Sequence, residues 1–166
     1  MKLLKTITLC VMLILTINVF GQHGIKRTNN YFSYKDRANE FGGTVNLSYF
    51  RYEGNFSPNF QLDYDHFITK FFSIGVGYGI TFNNYIYNTF TFDTSLRLFN
   101  DFTFTFKPGF SLKTAKGVTH AQYSMGACAK YEFKISDNIY LGPKFEIAIL
   151  QDDVNYLAGI HLGYMF

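Results

Sequence analysis

The chain is 166 residues long, enough for one domain, and its 20% aromatic content comprises 13 Tyr and 20 Phe with no Trp. Its formal charge is +3, from 15 basic and 12 acidic residues, and falls to +1 once Lys2 and Lys5 leave with the leader described next. That balance gives no electrostatic case for nucleic acid, and two cysteines without a His cluster make no zinc site.

Residues 1–21 read as a secretory signal peptide. Lys2 and Lys5 form its positive start, Ile7 to Ile17 its apolar core, and Val19-Phe20-Gly21 a small-residue cleavage site before Gln22. The apolar run is too short for a retained transmembrane anchor. Cys10 lies inside it behind the bulky Leu9, so no lipid anchor is expected, and cleavage leaves Cys128 without a disulfide partner. Residues 22–40 form a polar segment too charged and too broken to read as a strand.

From Phe41 onward the chain alternates with a period of two, the signature of strands. Segment one sets Val45, Leu47 and Tyr49 against Thr44, Asn46 and Ser48. Segment two sets Phe60, Leu62 and Tyr64 against Gln61, Asp63 and Asp65, with a slip expected near His66. The third, Phe72 to Phe82, alternates apolar residues with Ser, Gly and Thr. The fourth opposes Phe90, Phe92, Leu96 and Leu98 to Thr91, Asp93, Ser95 and Arg97. The fifth opposes Phe102, Phe104, Phe106, Phe110 and Leu112 to Thr103, Thr105, Lys107, Gly109 and Ser111. The sixth runs from Tyr123 to Phe133, the seventh from Ile139 to Ile149, and the eighth closes the chain through Ile160, Leu162, Tyr164 and Phe166. Turn signals such as Asn100-Asp101 and Ser136-Asp137-Asn138 separate them, so the pattern specifies an all-β antiparallel up-and-down meander. An even strand number lets the first strand pair with the last and removes both exposed edges. Pro108 and Pro143 fall inside strands of a barrel without a free edge, so local bulges are expected there.

Volume decides which face is outside. An eight-stranded barrel is just wide enough to be filled by side chains, and the Phe, Tyr, Ile and Leu of the apolar face cannot all fit within it. Turned outward, that face would girdle the molecule with an apolar belt that a bilayer tolerates and water does not. Segments of about ten residues match the 9 to 11 that a tilted spanning strand needs. The chain therefore reads as an eight-stranded transmembrane β-barrel with a polar lumen.

These features together resemble the small eight-stranded outer-membrane barrels of the OmpX and OmpA transmembrane type, over Phe41 to Phe166. Asp65 to Tyr78 resembles a hairpin common in such domains. The resemblance implies a Gram-negative outer-membrane location, reached through the signal peptide, and contact with outer-membrane lipid and lipopolysaccharide. It also implies that Tyr164 and Phe166 are the signal read by the outer-membrane assembly machinery. Both termini then face the periplasm, with external loops at Arg51 to Ser57, Asn83 to Asn88, Lys113 to Thr119 and Gln151 to Asn155. Tyr49, Tyr52, Tyr85, Tyr87, Tyr123 and Tyr156 form an outer girdle, and Phe71, Phe72, Phe99, Phe102, Phe133 and Phe166 an inner one.

The inward parity carries Asp63, Asp65, Asp93, Arg97, Lys107, Lys130, Glu132, Lys144, Glu146 and His161. Confined charges are expected to pair, which makes a structural or interaction protein with a charge-filled lumen the leading reading, and a monomer the expected state. A narrow, porin-like channel for small solutes and a soluble periplasmic ligand-binding barrel are the alternatives. No enzyme is expected: His120 and Ser124 are the nearest approach to a base and nucleophile, and no acidic partner accompanies them. No cofactor or metal is expected either, since His66 and His161 lack ligand spacing and Gly75, Gly77 and Gly79 lack the helix of a phosphate loop.

Overall fold

Residues 39–99 and 101–166 are described by the computed structural model. The expected signal peptide and all but Asn39 and Glu40 of the polar segment lie outside the described residues. The period-two alternation becomes eight strands. They are β1 (Asn39–Phe50), β2 (Asn55–Phe67), β3 (Phe72–Phe82), β4 (Ile86–Phe99), β5 (Phe102–Ala115), β6 (Val118–Tyr131, resumed over Phe133–Lys134), β7 (Ile139–Leu150) and β8 (Val154–Met165). Each is antiparallel to the next, and β8 pairs with β1 from Met165↔Glu40 to Asn155↔Phe50, closing the barrel.

The register fixes how far the strands lean. From Asn39 the rungs pass through His66, Ile74, Thr94, Phe106, Ala127, Ile147 and Tyr156 and return to β1 at Tyr49. One circuit thus climbs ten residues. With ~3.3 Å per residue and ~4.8 Å between strands, that stagger tilts the strands about 40° from the barrel axis.

Exposure follows parity. Val45, Phe92 and Tyr123 are 60%, 69% and 70% exposed, whereas Asp63, Lys107 and Glu146 are buried. This is the reverse of a water-soluble barrel, and it places an apolar belt outside and polar groups within. Four connections lie at what we call the distal end, after β1, β3, β5 and β7, and three at the terminal end beside Asn39 and Phe166. All are short: strands extend into the expected loops and leave only Arg51–Gly54, Asn83–Tyr85, Lys116–Gly117 and Gln151–Asp153 at the distal end. Lys116 and Gly117 both have positive φ (47° and 81°), the two-residue turn that matches the twist of its flanking strands.

Several expectations change. β1 begins at Asn39, so Glu40 belongs to the barrel and faces its interior. β2 does not slip at His66; alternation continues, with His66 outward and Phe67 buried. Tyr87 is not in the outer girdle, because its parity turns it inward, where it is 2% exposed.

Neither proline forms a bulge: the register is the same on both sides of Pro108 and of Pro143, and the one shift lies between Arg97 and Phe99. Each proline is instead accommodated by an adjacent glycine, Gly109 or Gly142. A Cβ on Gly109 would collide with the Phe90 carbonyl oxygen, and one on Gly142 with that of Tyr131. The same close approach of a neighbouring carbonyl occurs at Gly75 and Gly159, so glycines let adjacent strands close in at several places, two of them beside the prolines.

Candidate functional site

The inward residues stack in layers along the axis. At the terminal end Phe67 and Met165 are buried, and the Arg97 guanidinium lies 4.8 Å from the centroid of the Phe67 ring. Directly above, β1, β4, β6 and β8 contribute Glu40, Arg97, Lys130 and His161, and the break within β6 contributes Glu132. Lys130 Nζ donates to Glu40 Oε1 at 2.6 Å and lies 3.2 Å from Glu132 Oε1. His161 Nε2 is 3.2 Å from Glu40 Oε1 and 3.3 Å from Glu132 Oε1, and its Nδ1 is 3.0 Å from Thr44 Oγ1. Arg97 Nη2 stands 3.8 Å from both carboxylates. Glu40, Glu132 and His161 are close enough together to hold a metal ion. The ammonium of Lys130, 3.4 Å from His161 Nε2, already supplies their positive charge.

A second cluster occupies the middle. Lys107 Nζ is 3.0 Å from Asp63 Oδ1, 3.4 Å from Asp93 Oδ2 and 3.5 Å from Glu146 Oε2. Lys144 Nζ donates to Gln61 Oε1 at 2.7 Å and to Asp63 Oδ2 at 3.1 Å, and it lies 3.8 Å from Glu146 Oε2. Gln61 Nε2 completes the group by donating to Glu146 Oε2 at 3.3 Å.

Asp65 stands apart from these pairs. Among the described residues no cation lies within ion-pair distance of it, and the Ser73 hydroxyl donates to Oδ1 at 3.2 Å. Its rung partner on β1 is Glu40, another carboxylate.

Toward the distal end the lining becomes neutral. Asn46 Nδ2 donates to Asn59 Oδ1 at 2.7 Å, Asn59 Nδ2 to Thr81 Oγ1 at 2.8 Å, and the Ser48 hydroxyl to Asn155 Oδ1 at 2.6 Å. A cavity of about 30 Å³ in this region, bordered by Asn59, Gln61, Thr91, Lys107 and Ser124, has room for one or two waters. An apolar cap follows: Phe50, Tyr87 and Leu150 are buried together, with the Phe50 and Tyr87 rings stacked at 4.9 Å. The Tyr87 hydroxyl donates to Glu53 Oε1 at 2.9 Å, and Asn83 Nδ2 donates to Glu53 Oε2.

The barrel therefore gathers Asp63, Asp93, Lys107, Lys144 and Glu146 into one group and Arg97, Lys130, Glu132 and His161 into another, with Asp65 in neither. Glu40, the hub of the second group, escapes a sequence reading because no alternation precedes it. The cap escapes because inward apolar residues at strand ends look like ordinary belt residues; only their parity marks them.

His120 and Ser124 are not brought together: Ser124 is buried in the lumen, His120 is exposed on the β5–β6 hairpin, and four residues of extended chain separate them by roughly 13 Å. Cys128 is buried in the lumen. His66 faces outward, with Nδ1 3.0 Å from Asn39 Oδ1. Tyr164 and Phe166 are exposed at the terminal end, their rings stacked at 5.9 Å.

No protein-family model matches the sequence. No curated protein matches it either. The fold, however, is shared with solved structures. Ail, the attachment invasion locus protein of Yersinia pestis, is 14% identical over 78% of this chain and 97% of its own, with a TM-score of 0.52. Neisserial surface protein A is 7% identical over 77% and 96%, at 0.55. The N-terminal β-barrel domain of Pseudomonas aeruginosa OprF is 13% identical over 79% and 100%, at 0.53. At these identities the likeness establishes the fold, an eight-stranded up-and-down barrel of the transmembrane type.

Proposed function

We propose that the chain is an integral outer-membrane protein whose barrel is a closed structural scaffold that presents its distal hairpins to partners, and is not a pore. The observation that carries this reading is the filled lumen: two ion-pair clusters, a hydrogen-bonded polar layer and the Phe50–Tyr87–Leu150 cap follow one another along the axis. These groups occupy the bore of a barrel just wide enough to be filled by side chains. The exposed apolar belt supports membrane insertion, with lipid and lipopolysaccharide as its surroundings, as does likeness to Ail, an outer membrane protein also studied in a phospholipid bilayer nanodisc.

Planar bilayer recording of the purified protein tests the scaffold reading: no discrete conductance is expected, and reproducible unitary channels would overturn it in favour of transport. Location is tested separately. The mature protein should stay with membranes after osmotic shock and require detergent for release. The exposed, stacked Tyr164 and Phe166 fit a signal for the assembly machinery. Deletion of Phe166 should then leave unassembled protein in the periplasm, read by its loss from the detergent-extracted fraction.

A further inference from the structure

The β5–β6 hairpin outruns the rest of the barrel. β5 pairs with β4 as far as Ile86↔Thr114, and β5 with β6 as far as Ala115↔Val118. On its other side β6 pairs with β7 only from Ser124↔Leu150 downward. Six residues of β6, Val118–Tyr123, therefore continue beyond their last rung with β7, on the order of 15 Å along the axis at the barrel's tilt. Val118, Thr119, His120, Ala121 and Tyr123 are all exposed.

In a two-residue hairpin the residues flanking the turn, here Ala115 and Val118, exchange both backbone bonds, and the bonds alternate thereafter. The N–H and C=O groups of Thr119 and Ala121, together with the Tyr123 N–H, consequently point away from β5, onto an edge with no strand beside it among the described residues. Such a row of unpaired groups is a template for strand addition.

We propose that this edge accepts an extended acidic segment of a partner protein as an added strand. The charge of the ribbon selects the partner. No Asp or Glu occurs between Asp101 and Glu132, while Lys116 and His120 lie exposed on the ribbon and Lys113 lies on it with its ammonium over the Tyr85 and Tyr87 rings. Of the acids at this end, Glu53 is held by Tyr87 and Asn83, and Asp153 is buried and accepts from the Tyr52 and Val154 N–H groups, leaving Asp152 exposed in the β7–β8 turn. A second copy of the chain is the poorer occupant, because edge-to-edge pairing would bring two basic ribbons together.

The proposal rests on the membrane-barrel reading, which leaves this ribbon in water beyond the belt. Full-length mature protein in lipid nanodiscs, titrated with an acetylated Glu-Val-Glu-Thr-Glu-Val-Glu-Thr peptide and followed by amide exchange, tests it. Protected rungs of β1 and β8 before peptide is added verify the barrel, so failure of that reading is seen first. Peptide should then slow exchange at Thr119, Ala121 and Tyr123 at least tenfold and saturably. Ala121→Pro removes an edge N–H without touching the β5 ladder and should abolish the effect. A Lys113→Glu/Lys116→Glu variant should weaken binding at least tenfold, as should replacing Glu with Lys in the peptide. Absence of protection, protection unaffected by Ala121→Pro, or edge amides already protected in a dimer would each overturn the proposal.

Discussion

Lys107 and Asp65 are both buried charges of the same lumen, yet their surroundings set opposite consequences for removing them. Lys107 is shared by Asp63, Asp93 and Glu146, so Lys107→Met leaves three carboxylates with Lys144 as their nearest cation. Breaking such a buried arrangement costs about 3–5 kcal/mol, which denaturant unfolding in lipid vesicles should read directly. Among the described residues Asp65 has no cation at ion-pair distance and one hydroxyl donor, so its charge is held at a desolvation cost with little return. Asp65→Asn should leave stability unchanged or raise it by about 1–2 kcal/mol in the same measurement. Which residues face the lumen is legible from parity alone. Who pairs with whom is not: Lys130 meets Glu40 across 90 positions of sequence, and the ten-residue climb of the register decides that meeting. Asp65 shows the limit, since it has the same parity as Asp63 and its isolation depends on Glu40 being its rung partner.

At the scale of the strand, the prolines show how local chemistry is absorbed without changing the barrel. A bulge was the reasonable expectation, because a proline in a closed sheet removes a rung. The chain places Gly109 after Pro108 and Gly142 before Pro143, and each glycine lets the neighbouring carbonyl approach where a side chain would block it. Gly142→Ala should therefore cost about 1–3 kcal/mol, the range for forced overpacking, although alanine is ordinarily tolerated in a strand. The same unfolding assay checks it, with Gly43→Ala as the control, because an added Cβ there would meet Leu62 only at 3.9 Å. Strand positions were readable in the sequence for a plain reason: one face is lined by polar groups and the other by apolar ones, so alternation persists. Strand ends were less readable. Polar residues such as Lys113 and Thr114 look like loop yet continue the β5–β6 ladder.

For the whole molecule, the scaffold reading makes the layers barriers in series. Phe50→Ala/Leu150→Ala would open the distal cap, but the Lys107 and Lys130 clusters below it would still fill the bore. Bilayer recordings of that double variant should show no unitary conductance, and channels appearing with it would mean that the cap alone is the gate. Closure has a consequence for timing as well. The seam joins β1 to β8, the first and last strands, and the Asn39 and Phe166 backbones extend it by exchanging bonds of 3.0 and 2.9 Å. Until β8 is available, every partial sheet keeps two open edges, and the final pairing joins residues more than 100 positions apart. Such non-local closure is slow and exposes intermediates to aggregation. The apolar belt that suits the finished barrel is therefore a hazard in transit, and the nascent protein should depend on a holding chaperone until its last strand docks.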